Sequence, residues 1–410
     1  MELCVSSIHR APEATQEASL CKDPKKAFGL YIHIPYCKTK CPYCDFYTHP
    51  TQSRSDIEEY VNALCTEITL SEEYGWRQGS PVDTIFLGGG TPSLLKRSSL
   101  EKILSTIRKQ FSVKNRSEIT IEINPETVNS ENSFEWRLLG INRASLGVQS
   151  LQDHELLRLK RGHNSEGSRK AYFTLRDSGF ENINIDLMYG LEGQTTQLWI
   201  SSLLMAIDWQ PQHISSYNLT IEEKTPFGSQ YRLGQLKLPN EETQISLFRE
   251  THDILESKGY SRYEISNFAR PCYEAKHNLI YWTGGVYWGV GVSAHSFKPG
   301  VLCFERWWNL RNLPAYILAL KQGRLPPHEH ETLPPETHWE ERLMTGLRLK
   351  VGVNIRDIEG DIGTKISPEL RRRLMSFVSS GYMERKNERF SLTEKGILIS
   401  NEIFRELISS

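Results

Sequence analysis

The sequence predicts an α/β fold, in which a partial (β/α)6 barrel is followed by an α+β extension and a small winged-helix-like domain. Apolar strand-like segments alternate with helical patterns six times from residue 28 onward, which is typical of a parallel sheet. Glycine or polar residues follow each predicted strand, as they do at the C-terminal strand ends of barrels. In the last part of the chain, helical patterns surround two short strand-like segments.

Each predicted barrel strand is a short apolar run, and each is followed by apolar residues at helical spacing. The predicted strands cover residues 28–34, 82–87, 118–123, 143–148, 183–188 and 213–219. The predicted helices cover residues 53–74, 98–111, 131–139, 151–159, 166–178 and 195–207. Beyond the barrel, the pattern predicts a long amphipathic helix at 241–258 and a strand at 263–268.

These patterns divide the chain into four parts. We predict an irregular N-terminal segment at 1–27, the barrel at 28–235, the extension at 236–333 and the winged-helix-like domain at 334–410. In the last part, helical segments at 355–359 and 367–380 precede a β-wing made of 382–385 and 389–392.

Charge and composition argue against several classes of function. The 49 Lys and Arg residues nearly balance the 50 Asp and Glu residues, so no basic field favours nucleic acid or an anionic membrane. The winged-helix-like part is also close to neutral, and its one basic cluster is Arg371–Arg373, whereas DNA-binding domains of this shape are usually more basic. No apolar run reaches 18 residues, which argues against a membrane span.

Two observations favour a cytoplasmic protein. Residues 1–27 include Glu13, Glu17 and Asp23 and no continuous apolar core, unlike a signal or transit peptide. Eight cysteines in 410 residues are too few for a disulfide scaffold and favour a reducing compartment.

The densest chemistry lies in the loop after the first strand, where Cys37, Cys41 and Cys44 form a Cys-x3-Cys-x2-Cys run. Three closely spaced thiolates can hold three irons of a 4Fe–4S cluster and leave the fourth iron open. One alternative is a structural zinc site with His33 or His49 as the fourth ligand, although zinc spacings usually come as two pairs. Another is a disulfide with a spare thiol, which suits a secreted chain.

The residues that follow the other predicted strands suggest one shared site. They are Gly88–Thr91, Glu122, Asn124, Gln149, Asp186 and Thr220. Each has an ordinary explanation alone, such as a tight turn, a helix cap or a surface charge, and Arg161 could be a solvated helix-end charge. Glycines, however, also let backbone approach a ligand that a side chain would block. Taken together, these residues favour a nucleoside-like, zwitterionic ligand whose carboxylate could pair with Arg161.

A second dense stretch begins at His277 and continues as His277-Asn-Leu-Ile-Tyr-Trp282, followed by several glycines and further aromatic residues. From composition alone, a packed aromatic cluster with hydrogen-bonded histidines is the favoured interpretation. The alternative is a site for a flat apolar ligand whose metal binds an imidazole.

In this order, the motifs resemble the radical S-adenosylmethionine superfamily, and within it the group around oxygen-independent coproporphyrinogen dehydrogenase. The matching segments are Tyr31-x-His33-x-Pro35, the three-cysteine run, Gly88-Gly-Gly-Thr-Pro92, Ile121-Glu-Ile-Asn-Pro125, Gly147-Val-Gln149 and Asn184-Ile-Asp-Leu-Met-Tyr-Gly190. The resemblance implies that Cys37, Cys41 and Cys44 bind a 4Fe–4S cluster and that S-adenosylmethionine binds its open iron. It also implies that the S-adenosylmethionine site is lined by Tyr31, Gly89, Gly90, Thr91, Glu122, Gln149, Arg161, Asp186 and Thr220.

Two departures separate the chain from the dehydrogenase pattern. That pattern has a further Cys where Phe46 stands here, and it has an N-terminal extension that this chain mostly lacks. Cys44-Asp-Phe46 and the His-Asn-x-x-Tyr-Trp motif instead resemble HemW-type heme chaperones, in which that motif is associated with heme. By this resemblance, His277 is the first choice for an iron ligand and Tyr281 the second.

The resemblance therefore implies a heme chaperone with a 4Fe–4S cluster and exchangeable S-adenosylmethionine, which passes one heme to acceptor proteins. The alternative is a radical enzyme acting on a porphyrinogen, with coproporphyrinogen decarboxylation itself disfavoured by Phe46. A DNA-binding regulator is the third class, and its neutral winged-helix-like part disfavours it. We expect no nucleic acid partner and no membrane span, while peripheral membrane association and a homodimer stay open.

Overall fold

The computed structural model describes residues 27–50, 53–300 and 303–408. Most of the irregular segment predicted at 1–27 therefore lies outside the described residues. The dominant feature of the described part is one 12-stranded sheet. None of the described helices is both long and apolar enough to span a bilayer.

The first half of the chain alternates strands and helices as expected. Its strands are β1 (Phe28–Ile34), β2 (Tyr36–Cys37), β3 (His49–Pro50), β4 (Pro81–Gly89), β5 (Ser112–Ile123), β6 (Arg143–Gln149), β7 (Asn182–Tyr189) and β8 (His213–Asn218). Its helices are α1 (Arg54–Thr69), α2 (Arg97–Gln110), α3 (Ser130–Leu138), α4 (Asp153–Arg158), α5 (Ser165–Asp177), α6 (Thr196–Asp208) and α7 (Pro226–Arg232).

Six of these strands form the predicted parallel sheet, in the order β1-β4-β5-β6-β7-β8. In β1, six of the seven residues are buried, as expected of a parallel strand that is covered on both faces. The register places Glu122 beside Ser145, and Asp186 beside Ser215. All six strands point the same way, so their C-terminal ends meet at one edge. The predicted six-unit α/β core is confirmed.

The second part of the chain extends this sheet at both edges. Its elements are α8 (Glu241–Ser257), β9 (Ser261–Arg262), β10 (Asn267–Ala269), α9 (Lys276–Trp282), β11 (Val286–Val290), β12 (His295–Pro299), β13 (Phe304–Asn309), α10 (Leu313–Lys321) and β14 (His328–Leu333). Strand β11 pairs in parallel with β1, and β12 to β14 continue that edge in antiparallel fashion. At the other edge, β10 pairs with β8, and β9 pairs with β10.

The strand predicted at 263–268 is wrong for most of its length. Residues 263–266 lie between β9 and β10, outside any strand. The backbone of Glu264 instead forms an isolated bridge to Leu349 in the last part of the chain. The buried Glu264 carboxylate also accepts hydrogen bonds from the Ser266 N–H and the Asn267 amide, and these local bonds divert the chain from a regular strand.

The last part of the chain has its own hydrophobic core, which includes Trp339, Leu343, Leu374 and Phe404. Its elements are α11 (Pro335–Gly346), β15 (Val353–Asn354), α12 (Ile355–Ile362), α13 (Pro368–Ser379), β16 (Met383–Lys386), β17 (Arg389–Leu392), α14 (Glu394–Leu398) and α15 (Ser400–Ile408). The strands form a small antiparallel sheet in the order β15-β17-β16. This combination of helices and a β-wing agrees with the predicted winged-helix-like arrangement.

Candidate functional site

A cavity of about 720 Å³ opens where the parallel strands end, the usual position of ligands in such sheets. Eleven of the residues predicted for the cluster and ligand sites line it. They are Cys37, Cys41, Cys44, Gly89, Gly90, Thr91, Glu122, Gln149, Arg161, Asp186 and Thr220. The fold thus brings together residues that come from six different strand ends.

Cys37 is the last residue of β2, and Cys41 and Cys44 lie in the loop between β2 and β3. All three are free, partly exposed thiols. The Cys44 N–H donates to the Cys41 carbonyl at 3.3 Å, which tightens the loop. The Thr91 hydroxyl donates to Cys37 Sγ at 3.5 Å. Burial raises the pKa of the Cys37 thiol to about 11, and a bound metal would favour its thiolate form. Three thiols on one cavity wall fit a cluster held by three cysteines.

The zinc alternative finds no support in this arrangement. Among the described residues, no group of three His, Cys, Asp or Glu side chains could hold a single metal ion. His33 Nε2 donates to the Tyr47 carbonyl at 2.9 Å, and Nδ1 lies 3.0 Å from the Tyr31 hydroxyl. Both ring nitrogens of His33 are therefore occupied. His33 instead ties the end of the cysteine loop to strand β1.

Arg161 places a positive charge beside the cysteine loop. Its Nη1 donates to Cys41 Sγ at 3.5 Å, and its Nη2 donates to Asn124 Oδ1 at 2.8 Å and to the Gly147 carbonyl at 2.9 Å. These contacts orient the guanidinium toward the cavity. A cation in this position stabilises negative charge on the sulfur of Cys41 or on a bound ligand.

The glycines after β4 are needed by the packing of the protein itself. A Cβ on Gly90 would lie 2.6 Å from the Tyr36 carbonyl oxygen, and one on Gly89 would lie 2.5 Å from the His33 ring. Gly89 also has a φ of +109°, and its N–H donates to Glu122 Oε2 at 3.0 Å. Gly89 and Gly90 also line the cavity, so the approach of a ligand to their backbone stays a prediction.

The carboxylates of Glu122 and Asp186 both line the cavity and lie near each other. Burial and the nearby Asp186 raise the pKa of Glu122 to about 7. Burial also raises the pKa of Asp186, although hydrogen bonds from the Asn184 amide at 2.7 Å and the Ser145 hydroxyl at 3.2 Å oppose that rise. Carboxylates held this way are acceptors for the hydroxyls or the ammonium group of a ligand.

Tyr31 is the one predicted S-adenosylmethionine residue that does not line the cavity. Its ring stacks on Phe86 at a centroid distance of 6.2 Å, and Phe86 itself does line the cavity. Burial raises the pKa of Tyr31 above its usual value, so the phenol stays neutral. In the described arrangement, Tyr31 supports the wall and holds His33.

The His-Asn-x-x-Tyr-Trp motif forms helix α9, which packs on the cavity face of the sheet, near the N-terminal ends of β1 and β4. A Cβ on Gly29 would lie 2.9 Å from Ile280 and 3.1 Å from His277, so only glycine leaves room for this helix. The helix has no capping side chain of its own. Instead, both oxygens of Glu118 on β5 accept from the N–H groups of Lys276 and His277, each at 3.1 Å.

His277 is hydrogen-bonded at both ring nitrogens and is 1 % exposed. Its Nδ1 lies 2.7 Å from the Thr84 hydroxyl, its Nε2 lies 2.8 Å from the Tyr281 hydroxyl, and its ring stacks on Phe86 at 5.1 Å. Burial lowers its pKa to about 3, so the ring is neutral. A heme iron needs a ring nitrogen that is free to bind it. His277 and Tyr281 therefore do not fit a heme in this arrangement.

The rest of the motif connects α9 to other parts of the molecule. Asn278 lines the cavity. The Tyr281 ring packs edge-on against Tyr287 of β11 at 4.7 Å. The guanidinium of Arg348, which follows α11, lies 4.6 Å from the centre of the Trp282 ring. The motif thus joins the cavity, the extended sheet and the C-terminal part of the chain.

Several cavity residues were missed by sequence reasoning, among them Phe86, Arg143, Ser145, Asn184 and Asn278. A signal for two of them was present. Arg143, Ser145, Gly147 and Gln149 occupy every second position of a buried strand, and alternate positions share one face. Polar side chains on one face of a buried parallel strand indicate a lined cavity and not a dry core.

Comparison with known proteins agrees with the motifs. The profile of the Radical SAM superfamily matches residues 31–203, and that of the HemN C-terminal domain matches residues 333–399. The solved structure of coproporphyrinogen III oxidase (HemN) from Escherichia coli, a radical SAM enzyme, aligns with a TM-score of 0.79 and covers 95% of this chain and 92% of that one. The two sequences are 23% identical, so this likeness shows the fold.

Curated relatives show the family. The heme chaperone HemW of Buchnera aphidicola is 34% identical over 92% of this chain and 97% of its own length. The HemW proteins of Synechocystis sp. and Escherichia coli are 35% and 33% identical, and each is covered over 96% of its length. At this identity, over nearly whole chains, the protein belongs to the HemW heme chaperone family of the radical SAM superfamily.

Proposed function

We propose that this chain is a heme chaperone that holds one heme and passes it to acceptor proteins. The observation that carries the proposal is its likeness to heme chaperones over nearly their whole length. The further Cys of the dehydrogenase pattern is replaced by Phe46, whose side chain is 67% exposed at the cavity. This replacement supports a chaperone over a coproporphyrinogen dehydrogenase. Six free cysteines in the described residues are in keeping with the cytoplasm.

We propose that Cys37, Cys41 and Cys44 hold a 4Fe–4S cluster, which would supply redox chemistry and an open iron for S-adenosylmethionine. In this proposal, Glu122 and Asp186 accept hydrogen bonds from the ligand. Arg161 would stabilise the negative charge at the cluster end of the cavity. The remaining proposed contacts are Tyr31, Gly89, Gly90, Thr91, Gln149 and Thr220, with Tyr31 acting through Phe86 and His33.

The experiment that tests the function compares heme transfer with turnover. The protein is purified without oxygen, its cluster is reconstituted, and hemin is titrated while the absorption spectrum is recorded. A chaperone will retain heme and then release it to an apo-acceptor that gains activity. Release of carbon dioxide from coproporphyrinogen at about 1 per second or faster would instead support the radical enzyme. Sedimentation of the loaded protein tests for the homodimer.

The heme ligand stays a prediction, with His277 first and Tyr281 second. Binding of iron by His277 requires its ring to give up the hydrogen bond to Thr84 or to Tyr281. Thr84→Val removes the hydrogen bond to Nδ1 but keeps the imidazole, whereas His277→Ala removes the imidazole. If His277 binds iron after release, Thr84→Val will bind hemin at least as fast as wild type, and His277→Ala will bind it weakly. If both variants lose stability equally but bind hemin like wild type, His277 is a structural residue.

A further inference from the structure

Arg143 is a buried cation that lines the cavity near Glu122 and Asp186, and its charge opposes the rise in the pKa of both carboxyl groups. It is 2% exposed, and its Nε is buried without a hydrogen-bond acceptor. Among the described residues, no carboxylate lies within ion-pair distance of this guanidinium. A buried, unpaired arginine is costly. The Nε group without an acceptor therefore carries a desolvation cost, while attraction to Glu122 and Asp186 stabilises the charge of the guanidinium.

The position of Arg143 points its charge toward a ligand. It begins β6 and pairs with Thr120 of β5 and Asn182 of β7. By the strand register, Glu122 lies one layer and Asp186 two layers nearer the C-terminal ends of the strands, and all three side chains line the same cavity. A ligand in this cavity can therefore contact Arg143 as well as the two carboxylates.

We propose that Arg143 binds a carboxylate group of a ligand in this cavity. Guanidinium groups bind carboxylates through two parallel hydrogen bonds, and no carboxylate of the described protein supplies them here. Two ligands of the proposed function carry carboxylates, namely S-adenosylmethionine and the propionate arms of heme. The inference rests on the proposed function only in naming these two sources.

The test uses the full chain with its cluster reconstituted, and two pairs of probes that differ in the carboxylate. One pair is S-adenosylmethionine and its decarboxylated form. The other is hemin and hemin dimethyl ester. In Arg143→Met, we expect binding of one of the two acids to weaken about ten- to a hundredfold, while its carboxylate-free counterpart binds as it does to wild type. The affected pair identifies the source.

Arg262→Met is the matched control, because Arg262 is also 2% exposed but pairs with Glu394. Without ligands, both variants are expected to unfold below the wild-type midpoint. The decrease should be larger for Arg262→Met, because Arg262 forms a direct ion pair with Glu394 whereas Arg143 only lies near Glu122 and Asp186. Arg143→Lys keeps the positive charge but cannot form the two parallel hydrogen bonds of a guanidinium. It should therefore weaken binding of the same acid less than Arg143→Met does. It also serves as the test variant if Arg143→Met does not fold.

Two results would overturn the inference. In one, the ratio of the affinity for the acid to the affinity for its carboxylate-free counterpart is the same in wild type and Arg143→Met for both pairs of probes. In the other, Arg143→Met weakens an acid and its counterpart alike, which indicates a structural role. If wild type fails to bind hemin at all, the proposed chaperone function fails, and the S-adenosylmethionine pair alone then decides the role of Arg143.

Discussion

Gly89→Ala is predicted to destabilise the protein and to deplete its iron, although it adds a single methyl group. The new Cβ would lie 2.5 Å from both Nδ1 and Cε1 of His33, so the ring must move. Its movement breaks the hydrogen bonds to the Tyr31 hydroxyl and the Tyr47 carbonyl. Since Tyr47 follows the cysteine loop, the loop loses its anchor to β1. The sequence alone places only a ligand at Gly89, and on that basis iron content would be unchanged.

The magnitude follows from three contributions. Alanine at a φ of +109° costs about 1–2 kcal/mol. Two lost hydrogen bonds cost about 1 kcal/mol each, and the displaced ring adds packing losses. We therefore expect a loss of about 3–5 kcal/mol in the free energy of unfolding. Gly259→Ala is the matched control, because Gly259 has a φ of +82° and no atom near its missing Cβ, so it should lose about 1–2 kcal/mol.

The assay combines urea denaturation with iron analysis of the reconstituted proteins. Gly89→Ala should unfold at a lower urea concentration than Gly259→Ala and should contain less iron per chain. If the two variants unfold together and both carry full iron, the close approach of Gly89 to His33 does not anchor the loop, and the reasoning fails.

Three further predictions concern other contacts. Cys41→Ala should fail to assemble the cluster, whereas Cys272→Ala, at an exposed thiol, should keep wild-type iron; equal iron in both would remove Cys41 from the ligand set. Glu118→Ala leaves two N–H groups of α9 without acceptors and should lower the free energy of unfolding by about 2–4 kcal/mol; Glu118→Gln should lose less, and urea denaturation of both variants checks this. Because the folded pKa of Glu122 is raised from 4.5 to about 7, its contribution to stability is fully present below pH 4.5 and is lost as pH rises through 7. At pH 8, ligand-free Glu122→Gln should be more stable than wild type by at most about 3 kcal/mol, and a wild-type advantage at pH 8 would contradict the assigned shift.

The parallel core was predictable because its signal is local. Each strand is a short apolar run, and each is followed by helical spacing and by residues that suit a ligand, so Glu122 and Asp186 could be placed in one cavity before any coordinates. The edge strands β11 to β14 were not predicted, because their partners lie far away in the chain. Strand β11, for example, pairs with β1, and periodicity carries no information about such pairing.

The environments of individual side chains were also beyond the sequence. His277 and its aromatic neighbours have the composition of a ligand site and of a packed cluster alike, and only contacts with Thr84 and Glu118 distinguish the two. Arg143 gave a weak signal through its alternation with Ser145. That its Nε lacks an acceptor depends on the three strands that meet around Arg143, and no single segment reveals this.

The pairing of β11 with β1 has a consequence for synthesis on the ribosome. Strand β1 is synthesised long before one of its two neighbours, which is complete only when Val290 has been made. Glu118 likewise waits for a helix whose first turn lies 159 residues later. Until then, the nascent chain carries an apolar strand with an open edge, and such edges promote aggregation. Slow translation between β8 and β11 should therefore lower the yield of native protein, and loading of the iron should follow the emergence of β11.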